Sequence, residues 1–199
     1  MRETDNEKPI SQYQLETFEV LCLNIERTFT EKIMGLIRAS YCDNPINELK
    51  QKIRHIYDIE RILSIENIKT FMASEAFFEM LEKVKHDDAS NHEFGGDWLT
   101  KKWHQSILFS EIETTWQKLE HTYLNEFAAL VYGDLPKSEE IMASLQIISE
   151  RLKRLSEELQ HYLPVSSVSY QLFASREAFV FWIYRHRSTL PSHFYAAPS

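Results

Sequence analysis

Residues 138–164 read SEEIMASLQIISERLKRLSEELQHYLP, and this stretch decides the fold class. Its apolar residues recur at alternating steps of four and three, which is the spacing of one face of an α-helix: Ile141, Leu145, Ile148, Leu152, Leu155, Leu159 and Tyr162. The positions between them are mostly polar or charged, and Pro164 ends the pattern. Because such a helix must bury its apolar face against another element, the stretch predicts a domain of packed helices.

Two more helices are predicted near the start of the chain. Apolar residues at helical spacing predict a first helix over residues 11–40, with Ser11 as its cap and Cys22 packed on its apolar face. Asn44 is a suitable cap for the second helix, and Pro45 suits its first position. The connection between the two helices is short, so we expect them to be antiparallel.

The middle of the chain is less regular. Residues 64–86 predict one kinked helix or two short helices that meet near Ser74. Residues 86–97 are polar and predict a loop. Residues 98–130 carry the apolar stripe of a long fourth helix, which Gly133 ends. A break of this helix near Ser110 is the alternative.

The segment after Pro164 leaves two alternatives open. Residues 168–172 alternate like a strand and residues 179–184 favour β-structure, so a C-terminal hairpin packed on the helices is one interpretation. Periodicity alone does not decide between helix and strand in so short an apolar run. Of the two, we prefer a buried helix over residues 165–187.

The whole pattern predicts a mainly α protein. We expect one domain over residues 1–199, a helical bundle of about five to seven helices, with flexible tails at residues 1–9 and 188–199. The sequence shows no internal repeat and no domain linker.

Composition and charge exclude several classes of protein. Among the 199 residues there are only 4 glycines, and neither a Gly-x-Gly-x-x-Gly nor a Gly-x-x-x-x-Gly-Lys motif occurs. The usual dinucleotide and P-loop cradles are therefore absent. A formal net charge of −8 argues against a protein that binds nucleic acid mainly through phosphates, so no nucleic-acid partner is predicted.

The sequence also predicts a cellular compartment. Residues 1–9 are polar and lack the apolar core of a secretory signal. No apolar run approaches the roughly 18–20 residues that cross a bilayer. With 2 cysteines and no export signal, we expect a cytoplasmic protein with reduced thiols and no membrane span.

One loop gathers residues that could bind a metal. His86, Asp87, Asp88, His92 and Glu93 lie close together in the sequence, and imidazole and carboxylate groups suit zinc, iron or manganese. The same residue types are also what a polar connection between helices consists of. We favour that second interpretation and predict no metal and no cofactor.

A longer-range order of residues suggests an alternative. His55, the doublet His86-Asp87 and Asp134 occur in that order along the chain. The order is similar to the pattern of the HD superfamily of all-α, metal-dependent phosphohydrolases. The resemblance rests on these four residues, and it implies a metal held by them and hydrolysis of a phosphate ester.

Apolar residues on a second helical face point to a partner. If residues 98–130 form one helix, Trp103 and Ile107 lie away from the main stripe centred on Trp116, with Leu99 between the two faces. Such a helix is either central in the bundle or covered by another chain. The aromatic run near the C-terminus raises the same question, and the predicted partner-binding residues are Leu99, Trp103, Ile107, Phe179, Trp182 and Tyr184.

These observations favour a protein that binds other proteins. The lack of a catalytic motif and the aromatic content, 12 Phe, 9 Tyr and 4 Trp, predict a non-enzymatic helical adaptor or chaperone-like subunit. Its profile is similar to that of bacterial secretion chaperones and subunits of other multi-protein complexes, as a hetero-complex or a homo-oligomer. The phosphohydrolase is the alternative, and a helical regulator that binds a small apolar ligand inside the bundle is a third interpretation.

Overall fold

A computed structural model describes Tyr13 and residues 22–162, with side chains through Glu158. This part of the chain is mainly α-helical and contains no β-strand, which confirms the predicted fold class. The predicted tails, the alternatives for residues 165–187, and Phe179, Trp182 and Tyr184 lie outside the described residues. Within the described part, no helix has the length and apolar character needed to cross a membrane.

The described part contains eight α-helices, connected by short loops and turns. In chain order they are α1 (Ile25–Ser40), α2 (Pro45–Gln51), α3 (Ile53–Leu63), α4 (Glu66–Ala73), α5 (Glu75–Ser90), α6 (Ile107–Ser110), α7 (Ile112–His121) and α8 (Ser138–Tyr162). A π-helical segment, Thr122–Phe127, extends α7, and single 3-10 turns cover Asp97–Thr100, Trp103–Gln105 and Ala128–Leu130.

The core forms around α1, which packs against α3 and α5. The packing described here lies within residues 22–155, which belong to one compact unit. The apolar face of α8, which we call the α8 seam, is buried as predicted. Within that range its residues are Ile141, Leu145, Ile148, Leu152 and Leu155. Arg151 lies beside the seam, and its guanidinium donates to the carbonyl oxygens of Met72 and Ser74 at 2.9 and 3.2 Å. These bonds tie α8 to the junction of α4 and α5.

Two helix boundaries follow the sequence closely. Asn44 caps α2, since its side chain accepts a hydrogen bond from the backbone N–H of Asn47 at 3.4 Å, and Pro45 is the first helical residue. Ser74 separates α4 from α5 in an extended conformation, so residues 66–90 form two helices. The second of these helices extends through Ser90, and the loop therefore begins later than predicted.

The start of α1 differs from the prediction. Residues 22–24 are not helical, and Cys22 is exposed, so the prediction of one helix over residues 11–40 with a packed Cys22 is wrong. The reason is Asn24, whose backbone is extended and whose side-chain oxygen accepts a hydrogen bond from the Arg27 N–H at 2.8 Å. This cap satisfies a free donor of the first turn and begins the helix there.

The single long helix predicted over residues 98–130 is not present, whereas the alternative of a break near Ser110 is confirmed. Lys102 and Ser106 are extended and interrupt it, and Glu111 interrupts it again between α6 and α7. Ser106 is completely buried, and its hydroxyl donates to the carbonyl oxygen of Trp103 at 2.8 Å. A serine that bonds to the local backbone in this way competes with the regular hydrogen bonds of a helix.

The protonation of His55 is expected to make stability depend on pH. Burial, followed by the charges of Lys32 and Lys52, lowers its pKa to about 4, although Asp58 opposes the shift. In the unfolded chain the pKa is about 6.5, so between these two values the unfolded state binds the proton and the folded state does not. The free energy of unfolding should therefore be highest above the unfolded pKa and decrease as the pH falls through this window.

We expect His55 to account for a loss of about 1–2 kcal/mol between neutral pH and pH about 4, less than the full shift because the ring is partly exposed. Urea unfolding of the protein and of His55→Gln at several pH values measures this contribution. The variant should lose less stability on acidification. An identical pH dependence in both proteins would assign the acid sensitivity to other groups.

Candidate functional site

The loop segment after α5 folds back over the C-terminal ends of α1 and α5. The Tyr41 hydroxyl, just after α1, donates to the carbonyl oxygen of Lys102 at 2.6 Å. Within the loop, the Trp98 indole N–H donates to the carbonyl oxygen of Phe94 at 2.7 Å. Gly96 between them has a φ of +146°, where a residue with a side chain would be strained. These contacts fix the path of residues 91–106.

An arginine and two aromatic rings form the first half of the site. The Arg38 guanidinium lies 4.0 Å from the centroid of the Phe94 ring and 6.0 Å from that of Trp98. It also pairs with the Asp88 carboxylate at 2.5 Å, and both charged side chains are largely buried. Burial raises the pKa of Asp88, while the charge of Arg38 opposes this change. The ion pair therefore holds the guanidinium in place against the Phe94 ring.

A lysine and two further rings form the second half. The Lys85 ammonium lies 5.5 Å from the centroid of the Trp103 ring, and the Phe78 ring lies 6.4 Å from it. The Trp103 indole N–H is buried and has no hydrogen-bond partner among the described residues. Lys85 also lies 3.8 Å from Glu82, a weak and partly exposed ion pair.

Two exposed lysines directly precede Trp103. Lys101 and Lys102 form no ion pair with any residue that the structure describes. Lys101 and Lys102 therefore remain available to a ligand, while Arg38 and Lys85 are paired with Asp88 and Glu82. We call this region the aromatic–basic surface and define it by Arg38, Lys85, Phe94, Lys101, Lys102 and Trp103. Rings beside cations can stack a flat π-system and attract an anion.

The predicted partner residues lie on separate elements. Leu99 is in one 3-10 turn, Trp103 is in the next, and Ile107 begins α6. All three are partly buried against the core, so they do not form the single helical face on which the prediction depended. Of the three, Trp103 belongs to the aromatic–basic surface.

The four residues of the HD-like order do not come together as a metal site. The His55 ring packs over Gly35 of α1, while His86 and Asp87 lie in the last turns of α5. Asp87 accepts a hydrogen bond from Arg27 at 2.7 Å, and the carbonyl oxygen of Asp134 accepts one from Arg61. Among the residues that the structure describes, no group of three or more His, Cys, Asp or Glu side chains is arranged to hold a metal ion.

Sequence reasoning missed most of the aromatic–basic surface. Arg38 and Phe94 are far apart in the chain, and only the fold of the loop brings them into contact. The adjacent residues Lys101, Lys102 and Trp103 were visible as a signal, because cations next to an aromatic residue can stack a flat ring and attract an anion.

Comparison with known proteins identifies one family. Residues 3–159 match the model of the family described as "Nucleotidyl transferase AbiEii toxin, Type IV TA system", where TA stands for toxin–antitoxin. No curated protein and no solved structure matches the chain.

The family match corrects the predicted function. The prediction of a non-enzymatic adaptor or chaperone-like subunit is wrong, and so is the alternative of an HD phosphohydrolase, because the match covers most of the chain and describes a different class of protein. The chain belongs to the AbiEii family of nucleotidyl transferase toxins, which are components of type IV toxin–antitoxin systems.

Proposed function

We propose that this protein is the toxin of a type IV toxin–antitoxin system and that its aromatic–basic surface binds the nucleotide used in nucleotidyl transfer. The family match over residues 3–159 is the observation that carries this proposal. The surface supports it because aromatic rings and cations are the two features that a nucleotide requires of its binding site.

The aromatic rings and the cations of the surface suit the two parts of a nucleotide, its base and its phosphates. The Phe94 ring is 37% exposed, and the Trp103 ring is partly exposed, so a base can stack on either. Stacking of a base on an aromatic side chain contributes about 1–3 kcal/mol. The positive charge of the surface attracts the phosphates.

The described carboxylates do not fit a resident metal ion. Many enzymes that transfer phosphoryl or nucleotidyl groups use divalent cations held by carboxylates. Asp87 and Asp88 are adjacent, but each is already paired with an arginine, Arg27 or Arg38. No other described acidic residues form a group that could hold a metal. We therefore assign only nucleotide binding to the aromatic–basic surface.

The proposal also includes a partner and a compartment. Because the family belongs to toxin–antitoxin systems, we propose a protein antitoxin as the partner that opposes this toxin. Nucleoside triphosphates are cytoplasmic metabolites, so we propose that the protein acts in the cytoplasm. The described residues contain no membrane-spanning helix, which agrees with this location.

Bacterial growth tests the toxin assignment. Induced expression of the protein should slow growth and lower colony counts, while Trp103→Ala should relieve the effect because the base loses its stacking ring. Tyr132→Ala is the matched control, since Tyr132 is a fully exposed aromatic residue outside the surface, and it should remain toxic. Immunoblots must show equal amounts of the three proteins. Normal growth with the unaltered protein, or equal toxicity of all three, would contradict the proposal.

A further inference from the structure

We infer that the phosphates of the bound nucleotide are neutralised by Lys101 and Lys102, and that the nearby pair Asp87–Asp88 does not recruit a divalent cation for this purpose. The inference rests on the proposed function, because it assumes that the aromatic–basic surface binds a nucleotide. It adds which residues neutralise the negative charge of the phosphates.

The acidic pair already has its counter-charges. Asp87 accepts a hydrogen bond from Arg27 at 2.7 Å, and Asp88 accepts one from Arg38 at 2.5 Å. The Asp88 side chain is only 14% exposed, so a cation that bound there would have to displace a guanidinium from a largely buried contact. Arg38 would then lose the partner that holds it against the Phe94 ring. This arrangement favours ion pairing over metal binding.

The lysines are placed to meet a phosphate. Both are exposed, and the hydrogen bond from Tyr41 to the Lys102 carbonyl oxygen fixes the backbone at this point. Trp103 follows directly, so a base stacked on its ring brings the phosphates of the same nucleotide near both ammonium groups. An ammonium on a flexible stem binds phosphate as a point charge and needs no fixed orientation.

The same loop also contains two exposed acidic residues, Glu93 and Asp97, which offset part of this positive charge. The gain in affinity from phosphates should therefore be modest and sensitive to salt. We expect ATP to bind about tenfold more tightly than adenosine when EDTA is present.

Calorimetric titration of the full chain with adenosine, AMP and ATP, in EDTA and then in Mg²⁺, tests the inference. In Lys101→Gln/Lys102→Gln, the preference for ATP over adenosine should fall to within about twofold. The control is Lys153→Gln/Arg154→Gln, which removes two adjacent exposed cations from α8 and should keep the preference. Mn²⁺ titration followed by electron paramagnetic resonance should give the same binding for the unaltered protein and for Asp87→Asn/Asp88→Asn.

Two results would overturn the inference while leaving the proposed function intact. One is a preference for ATP over adenosine that appears only with Mg²⁺. The other is stoichiometric Mn²⁺ binding that disappears in Asp87→Asn/Asp88→Asn. If none of the four common nucleoside triphosphates binds under either condition, the nucleotide assignment itself fails, and the inference fails with it.

Discussion

Replacing Trp116 with alanine is expected to lower the free energy of unfolding by about 3–5 kcal/mol. The side chain is 2% exposed, and its ring meets that of Tyr123 edge-on, with the centroids 5.1 Å apart. The Tyr123 ring in turn stacks on Phe127, and Phe127 packs against Tyr57 of α3. Removing the indole would leave a large cavity at one end of this group of rings.

Trp116→Phe provides the control for that experiment. The indole N–H of Trp116 is buried and has no acceptor among the described residues, so phenylalanine removes an unsatisfied donor while it keeps a ring. We expect this variant to lose only about 1–2 kcal/mol, because the removed volume is smaller. If urea unfolding gives the same loss of free energy for Trp116→Ala and Trp116→Phe, the aromatic ring does not determine the packing at position 116.

Leu152→Ala is expected to lower the free energy of unfolding by about 2–5 kcal/mol. Leu152 is 1% exposed in the middle of the α8 seam, next to the Arg151 that bonds across to Met72 and Ser74. Ile147→Ala is the matched control on the same helix, because Ile147 is exposed, and it should cost less than about 0.5 kcal/mol. A loss below about 0.5 kcal/mol for Leu152→Ala would mean that the seam does not face the core.

The parts of the fold that were predictable are those decided by local pattern. The α8 seam repeats at helical spacing over many residues, and Asn44 with Pro45 is a strong start signal, so both appear in the structure as predicted. In contrast, Lys102 and Ser106 interrupt the apolar stripe of residues 98–130 through extended backbone conformations that the stripe does not reveal. Periodicity describes which side chains are apolar, but it does not show where a buried serine bonds to the backbone.

The candidate site was less predictable, for a physical reason. Arg38, Asp88 and Phe94 meet only because the loop after α5 folds back over α1, and no spacing in the sequence encodes this contact. The adaptor hypothesis rested on missing motifs and abundant aromatic residues. Several aromatic residues have other roles, since Trp116 packs in the core and Trp103 lies beside a lysine. The absence of familiar motifs did not indicate the family.

The most direct test of the central claim is calorimetric titration of the protein and of Trp103→Ala with the four common nucleoside triphosphates. We predict saturable binding of at least one of them. The affinity should be about fivefold or more weaker in Trp103→Ala, in line with the loss of one stacked ring. Tyr132→Ala should bind as the unaltered protein does, and circular dichroism should show that all three are folded. Absence of binding to every nucleoside triphosphate, or equal affinity in the folded Trp103→Ala variant, would contradict the claim that the aromatic–basic surface is the nucleotide site.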